Sequence, residues 1–589
     1  MPDKNLEIAR VLDEIGDLLE LTGQNKFRAN AYHNAARSLR DVQSDIAELA
    51  RQDTLTDIPN VGASMADHIK EYLETGKIRR REELAGQVPP TLVDLMQIPG
   101  LGPRKVMAIW KNLGVKSMED LARVLDNGEL AQLPGMGEKT AERIRHGMAF
   151  LSKAAERVPL GVAWPIARTL TRQIEDLAGA RQVQCAGSMR RGLETVGDVD
   201  ILCVGPEGSD IVDRFTKLPQ VSRVVAAGGT KGSVIVQTRL GRDLQVDLRV
   251  VPKQSFGAAL LYFTGSKQHN IKLREIAIKK GWKLSEYGLF DGDRMIAGKT
   301  EEQVYRKLGL PWIPPEIRED TGEIEHAHDL PKLIELDDVR GDLHVHTNAS
   351  DGRNTIEEMA LAAKALGYEY LAITDHSKGQ AQANGLSIDR MWQHIDDIRH
   401  AGKQVKDITL LASTEVDILG DGSLDYPDDL LAECDFVIAS LHSGFTQAPD
   451  LATKRVLAAM ENPYVSAIGH PTGRLLSRRE PIDLDLERIV RAAAETATAL
   501  EINAHWERLD LKDQHVRMAV DAGAMLVIGT DAHSTDDLEL MHYGVSTARR
   551  GWAQARNVLN ARPLSALKSW VSKKRGARKP ADRPIRCRQ

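Results

Sequence analysis

Cysteine is scarce in this chain, four in 589 residues (Cys185, Cys203, Cys434, Cys587), far apart and with no CxxC pair. That excludes a disulfide framework and a cysteine zinc site, and it predicts a reducing, cytoplasmic setting. No apolar run reaches the ~18 residues of a membrane span, so no membrane partner is expected. The opening MPDKNLEIARVLDEIGDLL carries acids through its first turns and has no small-residue cleavage site, so no signal peptide is expected. A hydrophobic content of 42% and a charged content of 28% exclude wholesale disorder. A chain this long exceeds a single core, and at roughly 100–200 residues per domain several domains are expected.

The net charge of −6 is unevenly spread. Residues 1–150 hold 20 Lys+Arg against 23 Asp+Glu, residues 151–320 hold 26 against 20, and residues 321–589 hold 32 against 41. The basic excess lies in the middle, where a polyanion would be held. The acidic C-terminal part would repel nucleic acid unless cations occupy its carboxylates. The ending KKRGARKPADRPIRCRQ reads as a solvated basic tail.

From Leu6 to Leu151 the pattern is of short amphipathic helices. Three turns repeat one design: IPNVGASMADHI (58–69), IPGLGPRKVMAI (98–109) and LPGMGEKTAERI (133–144). An apolar residue and proline lead into Gly-x-Gly, or Asn-x-Gly, and then a helix start. This is the helix-hairpin-helix pattern, whose glycines permit a tight turn and whose next helix offers free N–H groups to a phosphate. Gly62, Gly100, Gly102, Gly135 and Gly137 are the candidate DNA-backbone contacts, without base reading. The second and third copies, with both glycines, are the stronger.

Residues 160–255 mix a helix, read over 167–178, with alternating strands such as VDILCV and VIVQTRL; residues 257–310 are helix, then short strands around GWKLSEYGLF. PWIPPEIREDTGEIEHAHDLPKLIELDD interrupts all periodicity and reads as a linker. Beyond it, GDLHVHT, YLAITDH, LLASTEVDI, FVIASLH, SAIGHP, ALEINAH and LVIGTDAH alternate with helices. That is the repetition of a parallel, barrel-like α/β domain with polar residues at the C-terminal ends of its strands.

The segment AGSMRRGLETVGDVDILCV (186–204) puts Asp198 and Asp200 on one face of a strand, and Asp247 lies on what reads as its neighbour. Three convergent carboxylates repel one another unless divalent cations compensate them. Ser188 and Arg191 could hold a pyrophosphate. The segment, with YFTGSKQHNIKLR (262–274) and GWKLSEYGLF, closely resembles the palm and thumb of family X DNA polymerases. The resemblance implies that Asp198 and Asp200 hold two Mg²⁺ (or Mn²⁺) ions and that Asp247 helps activate the primer 3′-hydroxyl. It further implies that Ser188, Arg191, Arg157 and Gly197 meet the dNTP triphosphate. Tyr262, Phe263 and Gly265 would lie against the incoming sugar, Asn270 against its base and Arg274 against the template. One departure stands out: where lyase-active members carry an imine-forming lysine, this chain has His68, and Ser64 replaces an accessory lysine. Imidazole cannot form that imine, so binding of a 5′-phosphate without cleavage is expected. Lys70 is close by but on another helix face.

Thirteen of the 17 histidines fall after residue 320. His344, His346, Asp351, His376, Glu415, His442, His470, Asp531 and His533 nearly all follow a strand, too many to be satisfied core residues. Imidazole and carboxylate without cysteine favour Zn²⁺, Mn²⁺ or Fe²⁺ at an open catalytic site. His326, His328, His394, His400, His505, His515 and His542 lack this placement. HVHTNASDG, ITDHS, EVD, LHSG, GHP and TDAH resemble the PHP family, metal-dependent phosphoesterases in a distorted (βα)₇ barrel. The resemblance implies up to three ions: His344, His346, Glu415 and Asp531 on the first, Glu415, His376 and His442 on the second, and Asp351, His470 and His533 on the third.

The expected architecture is multidomain: an all-α helix-hairpin-helix region (1–85 lyase-like, 86–155 a second DNA-binding subdomain), an α+β nucleotidyltransferase palm (156–255), a thumb (256–318), a linker (319–337), the α/β PHP barrel (338–575) and a tail (576–589). The expected function is that of a monomeric repair polymerase acting on gapped or nicked DNA, with a PHP 3′–5′ exonuclease that processes 3′ ends, and cutting at abasic sites is a further expectation. The alternatives are a DNA-binding module fused to a small-molecule phosphoesterase, or a polymerase-inactive, DNA-targeted nuclease.

Overall fold

The computed structural model describes every residue except 1–2, 43–44, 99, 156, 207–209 and 577–589. All but the first residue of the expected basic tail therefore lies outside the described residues. The chain divides into two compact units, Met1–Glu156 and Arg157–Gln589, and each is described by itself.

The first unit is built from helices and short 3-10 turns. Its opening helix, Asp3–Leu21, buries Ile8, Leu12, Ile15 and Leu19, a stripe at the three- and four-residue spacing that a helix needs to present one apolar face. The three repeated turns each lead into a helix: Ala63–Thr75, Pro103–Leu113 and Glu138–Ala155. Each turn places one residue in the left-handed region: Asn60 (φ 63°), Gly100 (φ 91°) and Gly135 (φ 77°). Glycine takes that conformation freely and asparagine is the side chain that best tolerates it, which explains the one exception among the copies. Gly62 and Gly102 cap their helices without any side-chain acceptor on the first amides. A Cβ at Gly62, Gly102, Gly135 or Gly137 would meet nothing within 4 Å, so another backbone can approach all three turns closely.

In the second unit a five-stranded sheet comes first. Its strands are β1 (Arg181–Cys185), β2 (Asp198–Val204), β3 (Val221–Ala227), β4 (Lys231–Gln237) and β5 (Asp243–Val251), in the order β1-β2-β5-β4-β3. Only the β2–β5 pair is parallel. The helix expected over 167–178 runs instead over Leu160–Glu175, with Pro165 inside it, where the missing amide leaves the Gly161 carbonyl without its i+4 donor. Helices Phe256–Thr264, Lys267–Lys279 and Glu301–Leu308 then surround a small sheet of Trp282–Ser285, Gly288–Asp291 and Arg294–Ala297.

The segment read as a linker is packed, not free. Ile313, Ile317, Ala327 and Leu333 join the core of the preceding helices. Arg318 and Glu323 are fully buried, Arg318 on Glu301 (Nη1–Oε1 2.6 Å) and Glu323 on His269 (Oε1–Nδ1 2.7 Å).

Seven parallel strands follow in chain order: β6 (Gly341–Val345), β7 (Tyr370–Ile373), β8 (Thr409–Asp417), β9 (Phe436–Ser440), β10 (Ala467–Gly469), β11 (Ala499–Asn503) and β12 (Leu526–Gly529). The barrel nearly closes, because residues just past β12 bond to the end of β6: Asp531 N to His344 O (2.9 Å) and His346 N to Ala532 O (2.8 Å). Strand residues divide between two cores. Leu343, Tyr370, Ala372, Leu411, Phe436 and Ile438 pack with Leu567 and Val571 of the last helix, Leu564–Gly576. The alternate residues, such as Leu371, Ile373, Ala412 and Val437, pack with the helices between the strands.

Candidate active sites

The palm carboxylates stand on β2 and β5. The parallel register sets Asp198 beside Gln245 and Asp200 beside Asp247. Asp198 is exposed, Asp200 half-buried and Asp247 buried. Burial, then repulsion from Asp198 and Asp247, pushes the Asp200 carboxyl up to about 6. Asp247 moves the other way: burial opposes ionisation, but bonds from Lys231, Ser233 and Gln245 outweigh it. Lys231 Nζ lies 2.9 Å from Oδ2, and Gln245 Nε2 donates to Oδ1 at 2.9 Å. A carboxyl raised by its acidic neighbours, as Asp200 is, fits a divalent cation, which would supply the missing positive charge. Gly187 (φ 63°) closes over this face, and a Cβ there would come 2.9 Å from Asp200 Oδ2.

Most of the other candidate polymerase residues are tied to neighbours. Arg157 donates to Thr195 Oγ1 (3.0 Å) and Thr195 O (2.6 Å), and a Cβ at Gly197 would lie 3.5 Å from its Nη1. Ser188 sits in the short helix Gly187–Arg190. Arg191 donates through Nη1 to Thr264 O and through Nε to Glu319 Oε1 (2.9 Å), against the turn at Gly265. Asn270 Nδ2 donates to Tyr262 O (2.7 Å), Arg274 Nε to Asn270 O (3.2 Å), and the Arg249 guanidinium lies over the Phe263 ring. In the first unit His68 Nε2 bonds Tyr32 Oη (2.9 Å), and Lys70 Nζ pairs with Asp53 (2.6 Å), which raises its pKa.

At the barrel mouth the nine ligand-type side chains converge. Three groups each bring their ligand atoms within 4.8 Å of one another: His344, His346 and Asp531; His376, Glu415 and His442; and His346, Asp351, His376 and His533. Among the described residues no palm group is gathered as tightly. Glu415 stands between two sets. Its Oε2 lies 3.5 Å from His344 Nε2, 3.7 Å from His346 Nε2 and 2.8 Å from His376 Nδ1. Its Oε1 lies 3.0 Å from His470 Nε2 and 3.4 Å from His442 Nε2.

One part of the ligand grouping is corrected. His470 was expected with Asp351 and His533, but it sits with His442 on Glu415 Oε1, because β10 lies next to β9 and away from β12. His376 takes the place beside Asp351 (Nε2–Oδ1 3.6 Å), opposite His533 (Nε2–Oδ1 3.4 Å).

His344 Nε2, both nitrogens of His346, His376 Nδ1, both oxygens of Glu415 and His470 Nδ1 are buried without a hydrogen bond of acceptable geometry among the described residues. Native interiors rarely leave such atoms unsatisfied, and divalent cations would satisfy those that face Glu415 and Asp531. The ionisation states are divided. Burial drops His346 to about 4 and His470 to about 3, the neutral form that metal ligation requires, whereas burial is outweighed by Glu415 at His442 and by Asp351 at His533, and each rises to about 9. Glu415 and Asp531 stay ionised well below the usual range, because burial is outweighed by His442 and His344 for the first and His344 and His346 for the second.

A further layer escaped sequence reasoning. Glu501 takes His344 Nδ1 at 2.6 Å, Asp417 takes His442 Nδ1 at 2.8 Å, and Asp375 takes His394 Nε2 at 2.8 Å while accepting from Thr347 N (2.9 Å). Asp531 divides its oxygens: Oδ1 faces His346 Nε2 (3.1 Å), and Oδ2 accepts from Asn503 Nδ2 (3.1 Å) and pairs with Arg508 Nε (3.2 Å). Such partners fix ring tautomer and orientation. Their signal is the acid two residues past Glu415, on a strand that already carries a ligand, and the acid of ALEINAH, on a strand that carries none of the nine.

The fold and its two clusters define a nucleotidyltransferase joined to a metal-dependent phosphoesterase. Family models match in the same order: helix-hairpin-helix domains at 3–78 and 92–147, DNA polymerase beta palm at 157–250, DNA polymerase beta thumb at 259–319 and PHP domain at 342–505. The chain is 39% identical over 569 residues to the DNA polymerase/3′-5′ exonuclease PolX of Bacillus subtilis (strain 168), covering 96% of this chain and 99% of that one. It belongs to the PolX family. DNA polymerase lambda of Rattus norvegicus is 28% identical over 54% of this chain and 56% of its own. A probable phosphatase of Acetivibrio thermocellus is 33% identical over 33% of this chain and 78% of its own.

Proposed function

We infer that this protein is a DNA repair polymerase that fills short gaps by template-directed addition of deoxynucleotides and trims 3′ ends with its barrel as a 3′–5′ exonuclease. The observation that carries this is the presence in one chain of an unbroken palm triad and nine converged barrel ligands, with PolX identity running through both.

In the palm, Asp198, Asp200 and Asp247 would hold two Mg²⁺ or Mn²⁺ ions, and Asp247 would help activate the primer 3′-hydroxyl. Ser188, Arg191 and Arg157 hold the triphosphate, and Gly197 leaves room for it. Tyr262, Phe263 and Gly265 crowd a ribose 2′-hydroxyl, Asn270 meets the incoming base and Arg274 the template. In the barrel, His344, His346, Asp351, His376, Glu415, His442, His470, Asp531 and His533 hold up to three Zn²⁺, Mn²⁺ or Fe²⁺ ions. Bound cations supply charge neutralisation at phosphate and, in the barrel, a water of lowered pKa. The hairpin turns hold gapped or nicked DNA by its backbone. The protein acts as a monomer. No helix among the described residues is long and apolar enough to cross a membrane.

A second reading, a barrel that hydrolyses small phosphate monoesters, draws on the similarity to the probable phosphatase. Hydrolysis of a free phosphate monoester and degradation of a DNA 3′ end, assayed together with Mg²⁺ or Mn²⁺, separate the two. DNA degradation with negligible monoester turnover supports the exonuclease, and the reverse supports the second reading.

A further inference from the structure

The dNTP-binding arginine is not supported by the palm and thumb alone. Glu319 Oε1, which accepts from Arg191 Nε at 2.9 Å, also accepts from Arg550 Nη1 at 3.0 Å. Arg550 ends the helix Met541–Arg550 of the barrel unit. The same Nη1 donates to Arg191 O (2.9 Å) and lies 3.3 Å from Glu316 O. On its other side Asp513 Oδ2 takes Arg550 Nε (2.9 Å) and Nη2 (2.5 Å). Arg550 is only 9% exposed, and a guanidinium so placed is fixed in direction by its five donors. The approach is close on purpose-built backbone: Gly192 (φ 67°) has no room for a Cβ, which would fall 2.0 Å from Ser546 Oγ on the same helix. A second strut runs beside it, Arg474 pairing with Glu194 (2.7 Å) and donating to Arg508 O (2.9 Å).

Arg191 is thereby set before any nucleotide arrives. Thr264 O takes Nη1 and Glu319 takes Nε, so the plane of the guanidinium is fixed and Nη2 has no partner among the described residues. A long side chain ordered in advance does not lose that freedom on binding, which strengthens binding by up to about tenfold for one side chain.

We propose that Arg550 is a positioning residue of the polymerase reaction: from the exonuclease barrel it locks Glu319 and the Arg191 backbone, and so presents Arg191 to the triphosphate of the incoming nucleotide. This rests on the reading of Arg191 as a triphosphate contact. The test uses the full chain, a gapped DNA primer and steady-state kinetics in dNTP. Arg550→Ala raises the dNTP KM about tenfold, leaves kcat within about twofold and leaves exonuclease rate and barrel metal content unchanged. Glu319→Gln moves KM in the same direction. Because Arg550 acts through Arg191, Arg191→Ala/Arg550→Ala has the KM of Arg191→Ala alone. An unchanged KM in Arg550→Ala, or a double variant whose effects multiply, overturns the proposal when Arg191→Ala does raise KM. If Arg191→Ala leaves KM unchanged, the reading of the nucleotide site has failed instead. Should Arg550→Ala fold poorly, Glu319→Gln, at a partly exposed carboxylate, decides: an unchanged KM there also overturns it.

Discussion

Glu301 shows what a single buried charge does here. It is 4% exposed and carries Arg190 (Nη1–Oε1 2.8 Å), Arg318 (2.6 Å) and the Trp312 indole (2.9 Å). Burial pushes its carboxyl up, but Arg318 and Arg190 outweigh that and hold it well below the usual range. A folded pKa below the unfolded one stabilises fully above the unfolded value, about 4.5, and is lost as pH falls through that value toward the folded one. Thermal unfolding of wild type should therefore weaken steeply below about pH 4.5. Glu301→Gln should flatten that acid limb and lower stability at pH 7 by about 3–5 kcal/mol, because two arginines lose their counter-charge. Neither Glu301 nor Glu323 was legible as a core residue. Sequence shows an acid, whereas burial depends on a partner far along the chain, Arg190 for Glu301 and His269 for Glu323. His68 is the opposite case, a position read from the family resemblance of the first hairpin. It sits on Tyr32, and Lys70 is paired with Asp53, which makes its amine a poorer nucleophile. Borohydride should trap little covalent adduct with a 5′-deoxyribose phosphate; efficient trapping would place a reactive lysine in the first unit.

Elements were legible where one period dominates. The hairpin turns repeat, and their left-handed residues at 60, 100 and 135 follow from Asn-x-Gly and Gly-x-Gly. Replacing Gly135 by valine should force a β-branched side chain into φ 77° and weaken binding to gapped DNA about tenfold without changing sequence preference; unchanged affinity measured by titration would remove this turn from the interface. Barrel strands were legible from polar residues after apolar runs, and so was the set of nine side chains that converge at the barrel mouth. Their grouping was not, because whether His376 or His470 faces Asp351 depends on which strands are neighbours around a closed sheet. The segment after Leu310 failed for another reason. Proline and acids erase its periodicity, yet Glu323 is buried on His269, and Ile313 and Ile317 fill the core of the preceding helices. The turn Tyr262–Gly265 carries its own test: deoxynucleotides should be incorporated at least about a hundredfold more efficiently than ribonucleotides, since a single steric clash worth ~3 kcal/mol suffices. Comparable efficiency would mean that this turn does not meet the sugar.

At the scale of the whole molecule, two acidic centres share one chain but no ligand. Asp198, Asp200 and Asp247 stand on the open palm sheet, and Glu415 joins two ligand sets at the barrel mouth. Loss of Glu415 should disturb both of those sets, so Glu415→Ala should bind less metal, while His533→Ala should lose mainly the ion beside Asp351; elemental analysis of the purified proteins checks this. A chelator should silence both activities of wild type, and added Mn²⁺ should restore them. The most direct test of two independent centres is primer extension and primer degradation measured side by side for wild type, Asp198→Ala and Glu415→Ala. Asp198→Ala should lose nucleotide addition by at least about a thousandfold and keep 3′–5′ degradation, and Glu415→Ala should lose degradation and keep extension. Loss of both activities in either variant, or substantial extension by Asp198→Ala, would contradict the assignment.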